Sequence, residues 1–149
     1  MLYNVDLRVW YVAVSRVRYM RQSHTVIAGS TVELLCRIWG WPLPHVTWHR
    51  LGSQGPNSRL PLHEEDGRFT LRDGVAVAPP GGTVINATLV ISDVRPSDRD
   101  TYVCDISSYV DGAWRYDNGT VLVRVKGHCS FDICVSVCNM SFTTDRMRL

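Results

Sequence analysis

The segment Asp98-Arg99-Asp100-Thr101-Tyr102-Val103-Cys104, with Cys36 and Trp48 upstream, constrains this chain more than any other feature. Tyr102, Cys104 and Ile106 alternate with the two-residue period of a half-buried strand, so all three point to one face. Val32, Leu34 and Cys36 alternate in the same way. Val46 and Trp48 do so on the next strand, Trp48 standing twelve positions after Cys36. Two cysteines and two large aromatic residues are thereby assigned to inward faces of separate strands.

The rest of the chain extends this pattern. Phe69 and Leu71 mark a short strand, and Leu89 and Ile91 alternate on another that runs into a corner at Val94 to Asp98. Asn118-Gly119-Thr120-Val121-Leu122-Val123-Arg124-Val125 reads as the last strand. Between these lie turn signals. They are Ala28-Gly29-Ser30, the loop Gly40-Trp41-Pro42-Leu43-Pro44, the Gly- and Ser-rich stretch 51–62, and Gly74 to Gly82 with its Pro79-Pro80-Gly81-Gly82. Two prolines cannot donate to a ladder, which fixes 40–44 as a connection. With no helix-period segment of useful length, the expectation is all-β, with two packed sheets.

The chain has 149 residues, 45% of them hydrophobic, enough for one domain with a sizeable core. Residues 1–24 read as an N-terminal segment, either a poor signal-like stretch or part of the first strand. Residues 25–126 read as the domain and 127–149 as a cysteine-containing tail. A formal net charge of +2 with scattered basic residues excludes an electrostatic nucleic-acid footprint. No run of about 18 apolar residues exists, so no membrane span is expected within this chain. The expectation is an incomplete or alternatively spliced product, or one exported by an atypical signal.

Three sequons, at Asn86, Asn118 and Asn139, favour a secreted or cell-surface setting. The five histidines have no regular spacing, and no serine sits in a nucleophile elbow. No enzyme activity, no cofactor and no metal site is expected. His128-Cys129 with Cys134 and Cys138 matches no common zinc spacing, so disulfides are expected over zinc there, with at least one of the three cysteines free or intermolecular and the pairing open.

On these residues, the stretch from Thr25 to Lys126 resembles a variable-type domain of the immunoglobulin superfamily. The resemblance implies a two-sheet β-sandwich in which Cys36 and Cys104 form the inter-sheet disulfide and Trp48 packs against it. It also implies that the Tyr102 hydroxyl bonds back to the preceding corner, and that Arg68 pairs with Asp98. The room between Trp48 and Leu89 favours the extra edge strands of the variable type. Asn118-Gly119-Thr120-Val121-Leu122-Val123 resembles the joining-segment strand of antigen-receptor domains.

More narrowly, Val46-Thr47-Trp48, Gly67-Arg68-Phe69, Ile91-Ser92-Asp93-Val94-Arg95 and Tyr102-Val103-Cys104 resemble the natural cytotoxicity triggering receptors of natural killer cells. That likeness implies a receptor ectodomain binding a B7-like protein ligand on another cell, with a homodimer as a further partner. There are departures. Gly40, Pro42, Pro44, Val46 and Trp48 resemble the intermediate-type domains of adhesion molecules and growth-factor receptors, which is the alternative function. Asp100 stands where the family usually has a small residue.

Two features suggest a ligand surface. The stretch between Cys104 and Gly119 carries Tyr109, Trp114 and Tyr116, expected as aromatic anchors on a loop. The family register would turn Thr120 and Leu122 inward and leave Val121, Val123 and Val125 outward beside Val103, as an apolar stripe. A one-residue slip reverses that reading and makes the valines core.

Overall fold

A computed structural model describes residues 14–55, 57–62, 67–78 and 82–127. Cys129, Cys134, Cys138 and Asn139 lie outside the described residues, as does the histidine beside Cys129. Among the described residues, eight strands form two four-stranded sheets. They are β1 (Arg16–Met20), β2 (Ser23–Ile27), β3 (Val32–Gly40), β4 (His45–Arg50), β5 (Phe69–Ala78), β6 (Gly82–Ile91), β7 (Asp100–Val110) and β8 (Ala113–Lys126). One sheet has the order β1-β3-β6-β5, the other β2-β8-β7-β4. Every pairing is antiparallel except that of β2 with β8, which is parallel.

The alternation read from the sequence builds the core. Val32, Leu34, Cys36 and Ile38 on β3 face Tyr102, Cys104 and Ile106 on β7 in one buried cluster with Trp48, Phe69, Ile85, Ala87, Leu89 and Ile91. Cys36 and Cys104, separated by 68 positions, are joined in a disulfide across the two sheets. Trp48 is paired in register with Cys104, which brings the indole and the disulfide to the same inner face.

At one end, charge and hydrogen bonds close the sandwich. Tyr102 donates its hydroxyl to the Asp98 carbonyl at 2.8 Å. Arg68 forks onto the Asp98 carboxylate at 2.7 and 3.3 Å, and the Arg95 backbone N–H donates to the same carboxylate at 2.8 Å. Asp98 is buried, so its charge is held only because these donors surround it.

The structure departs from the sequence expectations in four places. First, the first strand is split. Arg16–Met20, inside the expected N-terminal segment, pairs with β3, while Ser23–Ile27 crosses to pair with β8. Second, among the described residues between β4 and β5 there is a short 3-10 turn at Gly52–Gln54 and a single bridge from Arg50 to Leu60, not extra edge strands. The room is used instead by β5, ten residues long, which carries Gly74 within the strand rather than in a turn.

Third, the valine stripe is not on the surface. Cys104 pairs with Gly119 and Tyr102 with Val121, and directly opposed residues share a face. Val121 and Val123 are therefore core, while Thr120 and Arg124 face solvent. The charge of Arg124 fixes this register, since the slipped alternative would bury it. Gly119 also faces inward, and a side chain there would meet Met20 Sδ at 2.8 Å and Val17 Cγ1 at 3.0 Å. Fourth, Val103 does lie on the outer face, but it is only 1% exposed, between His49 and Thr120 on the flanking strands.

Two outcomes test this packing. Val123→Glu places an unpaired carboxylate in the core, at a cost on the order of 3–5 kcal/mol, and should prevent folding. Arg124→Glu, one residue on, should leave a cooperative thermal transition near that of the wild type. The second concerns Tyr102. Burial, and after it the Asp98 charge, raise its phenol above the ordinary value of 10.0. The unfolded chain ionises there first, so stability should fall as pH rises above about 10. Tyr102→Phe should cost about 1–3 kcal/mol at neutral pH, because the Asp98 carbonyl loses its donor. Denaturant titrations at pH 7 and pH 11 should also show a shallower alkaline loss in the variant.

Candidate functional site

The stretch expected as an aromatic loop is instead a long hairpin. β7 and β8 pair continuously from Asp100↔Val123 to Val110↔Ala113. A two-residue turn, Asp111-Gly112, closes it with φ of 49° and 78°. Both values are positive, as a type I′ turn requires, and Asp-Gly is a favoured pair for it. β4 pairs with β7 only as far as Ser107, so the hairpin projects beyond that strand as a two-stranded ribbon.

The ribbon has a buried and an exposed face. Ser108 and Val110 are buried. Tyr109, Trp114 and Tyr116 point the other way, 56%, 57% and 74% exposed. Tyr109 and Trp114 are directly opposed across the hairpin, with an edge contact at 5.4 Å between ring centroids. Trp114 and Tyr116, two residues apart on one strand, stack at 6.4 Å. Three large rings thus hold each other in place on the solvent face, which lowers the ordering entropy a partner must overcome.

Next to Tyr116 lies a shallow groove of about 330 Å³, lined by Thr47, Asp105, Ser107, Tyr116, Asp117 and Asn118, with Ile106 at its floor. Asp105 is engaged there by Arg59 at 2.8 Å and by His49 at 3.0 Å. Asp117 accepts the Val17 backbone N–H at 2.9 Å, tying the ribbon base to β1.

Tyr109, Trp114 and Tyr116 are therefore brought together, whereas Val103, Val121 and Val123 are withheld from any partner. Arg68, Asp98, Trp48 and Tyr102 belong to the core and its end. Asn118 is exposed on the outer face of β8. Asn86 is half-buried on β6, where its Oδ1 accepts Arg37 Nε at 3.1 Å. Trp41 is 40% exposed in the proline loop. The hairpin itself was readable from Asp111-Gly112 between alternating strands, a signal that outranks aromatic content. Among the described residues, no group of three His, Cys, Asp or Glu side chains could hold a metal ion, and no helix is long and apolar enough to cross a membrane.

The family model for the immunoglobulin domain matches residues 16–108. The chain belongs to the immunoglobulin-domain family. The match begins at the first residue of β1 and runs into the projecting hairpin. It is 36% identical over 90 residues to the peroxidasin homolog of Mus musculus, covering 60% of this chain and 5% of that protein. It is 33% identical over 86 residues to the cell adhesion molecule DSCAML1 of Homo sapiens, covering 58% and 3%. Vascular endothelial growth factor receptor 2 of Coturnix japonica is 34% identical over 83 residues, covering 56% and 5%. The chain thus spans about one twentieth or less of the length of these relatives.

Among solved structures, the titin domains Z1Z2 in complex with telethonin align with a TM-score of 0.57 at 19% identity, covering 80% of this chain and 51% of that one. The RIG-5 IG1 homodimer aligns with 0.53 at 17%, covering 76% and 99%. At such identities the likeness establishes the sandwich alone. The immunoglobulin domain is typically non-catalytic, and relatives of this chain are domains of adhesion molecules and growth-factor receptors.

Because the turn needs two positive φ angles and Gly112 has open space around it, Gly112→Ala tests backbone strain alone. It should cost about 1 kcal/mol and weaken the near-ultraviolet circular dichroism of the Tyr109–Trp114 contact. Unchanged stability and spectrum would remove the turn from this account.

Proposed function

We propose that this domain is a protein-recognition module of the adhesion and growth-factor-receptor kind, working at the cell surface or outside the cell. It grips its partner through the projecting β7–β8 hairpin, with Tyr109 and Trp114 as anchors. The carrying observation is three mutually packed aromatic rings left exposed on a rigid ribbon. Aromatic anchors supply large contact area with few torsions to freeze, and a few of them dominate binding energy at interfaces. The disulfide, the sequons and the adhesion and receptor relatives support the extracellular setting. Titin with telethonin and the RIG-5 homodimer are proteins that use this fold to bind proteins.

A second reading keeps the partner class and changes the setting. The blocks Val46-Thr47-Trp48, Gly67-Arg68-Phe69, Ile91-Ser92-Asp93-Val94-Arg95 and Tyr102-Val103-Cys104 favour a natural cytotoxicity receptor with a B7-like ligand on another cell. The same hairpin serves in either case.

The test displays the secreted domain as a multivalent fusion against an array of cell-surface ectodomains that includes B7-like proteins, adhesion proteins and a second copy of this chain. At least one partner should bind. Trp114→Ala and Tyr109→Ala should each weaken it about thirtyfold, equivalent to about 2 kcal/mol, at unchanged melting temperature. Normal binding by both variants would move the recognition surface elsewhere, with the proline loop bearing Trp41 as the next candidate.

A further inference from the structure

We infer that Asn118 carries an N-linked glycan whose first N-acetylglucosamine stacks on Tyr116 and lies in the adjoining groove, so that Tyr116 serves the chain's own sugar rather than a partner. This rests on the extracellular setting proposed above. Asn118-Gly119-Thr120 is a sequon in which both Asn118 and Thr120 are exposed. Tyr116 stands two residues before Asn118 on the same strand. Alternate residues of a strand share a face at a spacing of about 7 Å, so the ring and the amide project side by side. Tyr116 is the most exposed of the three aromatics, at 74%. One of its ring faces is turned to Trp114, which leaves the Asn118 side for another flat group.

The chemistry of the groove suits a sugar. The axial C–H face of N-acetylglucosamine is apolar and fits an aromatic ring, while its hydroxyls and acetamide need hydrogen-bond partners. Thr47, Ser107 and the Asp105 carboxylate line the groove beside Asn118. Asp105 retains acceptor capacity, since an ionised carboxylate offers about four lone-pair sites. In the transfer, Asn118 Nδ2 bonds to the anomeric carbon of a lipid-diphosphate-linked oligosaccharide. The bond from that carbon to the diphosphate oxygen breaks, the lipid diphosphate leaves with the electron pair, and Nδ2 loses one proton.

Asn86 provides the internal control. Its sequon has Val84, not an aromatic residue, two positions earlier, and its side chain is half-buried and engaged by Arg37. The ring two positions earlier on the same strand, which stands beside Asn118, is replaced there by an aliphatic side chain. A glycan at Asn118 also stands on the outer face of β8, short of its pairing with β2, which begins at Leu122, and so obstructs flat docking across the β8-β7-β4 part of that sheet. Recognition is then confined to the hairpin end, at Trp114 and Tyr109.

The full chain should be secreted behind an added leader from cells that make uniform high-mannose glycans, then trimmed to one N-acetylglucosamine per site. Mass spectrometry should find Asn118 occupied. The ring protons of its sugar should be shifted upfield by the Tyr116 ring current, and the shift should vanish in Tyr116→Ala. Asn118→Gln should lower the melting temperature by several degrees when Tyr116 is present and by clearly less in the Tyr116→Ala background. Asn86→Gln should show no dependence on Tyr116. An empty Asn118 beside an occupied Asn86, or no sugar at any sequon, would overturn the inference. So would an Asn118 sugar whose spectrum and stabilisation ignore Tyr116. None of these measurements needs a partner, so their failure is distinct from failure of the array experiment.

Discussion

The joint between Cys36 and Cys104 ties the central strands of the two sheets, and the rest of the molecule takes its register from it. A link closing a loop of 68 positions removes denatured-state entropy worth about 4 kcal/mol in the chain-entropy account. Its geometric consequence is larger. With Cys104 turned inward, Trp48 opposite it on β4 and Gly119 opposite it on β8 must turn inward too. Gly119 then gives the β1 side chains Met20 and Val17 room to close the edge between the sheets. One covalent contact thereby decides which residues of four strands are core and which are surface.

The Asp98 corner performs the same service at the end of the sandwich by electrostatics. A buried carboxylate is expensive unless its lone pairs are filled, and here a guanidinium fork and a backbone N–H fill them. The carbonyl of the same residue takes the Tyr102 hydroxyl. Tyr102 is two residues from Cys104, so this corner and the disulfide hold one strand at neighbouring points. The anchored segment of β7 continues directly into the projecting ribbon.

What was legible in the sequence was whatever alternation and turn chemistry express locally. The inward sets on β3, β6 and β7, the proline loop after Gly40 and the Arg68–Asp98 pair needed only spacing and a family likeness. The misread parts depend on pairing between distant segments. Val121 and Val123 read on either face by alternation alone, and it takes the charge of Arg124 and the pairing of Cys104 with Gly119 to turn them inward. The crossing of the first strand from one sheet to the other leaves no periodic trace in a stretch as short as 16–27. The space between Trp48 and Leu89 counts residues but does not say whether they build edge strands or lengthen β5. The three aromatics pack together on one face, but their setting turned on Asp111-Gly112, two residues that specify a hairpin only if the strands on both sides are read as one ribbon.

The outer face of the β2-β8-β7-β4 sheet supports the proposal that recognition uses the ribbon and not the sheet centre. Val103, the apolar residue at that centre, is already covered. Asp105, two residues along, is paired with the Arg59 guanidinium and lies within hydrogen-bond distance of His49, so it offers a partner little uncompensated charge. Neither would reward desolvation strongly. The ribbon differs in kind. Tyr109 and Trp114 stand on its solvent face beyond the last β4 pairing, and with Tyr116 they are ordered because they pack on each other. Exposure without disorder is what a binding anchor needs. In this fold it arises where β4 stops pairing at Ser107 and the hairpin continues beyond it.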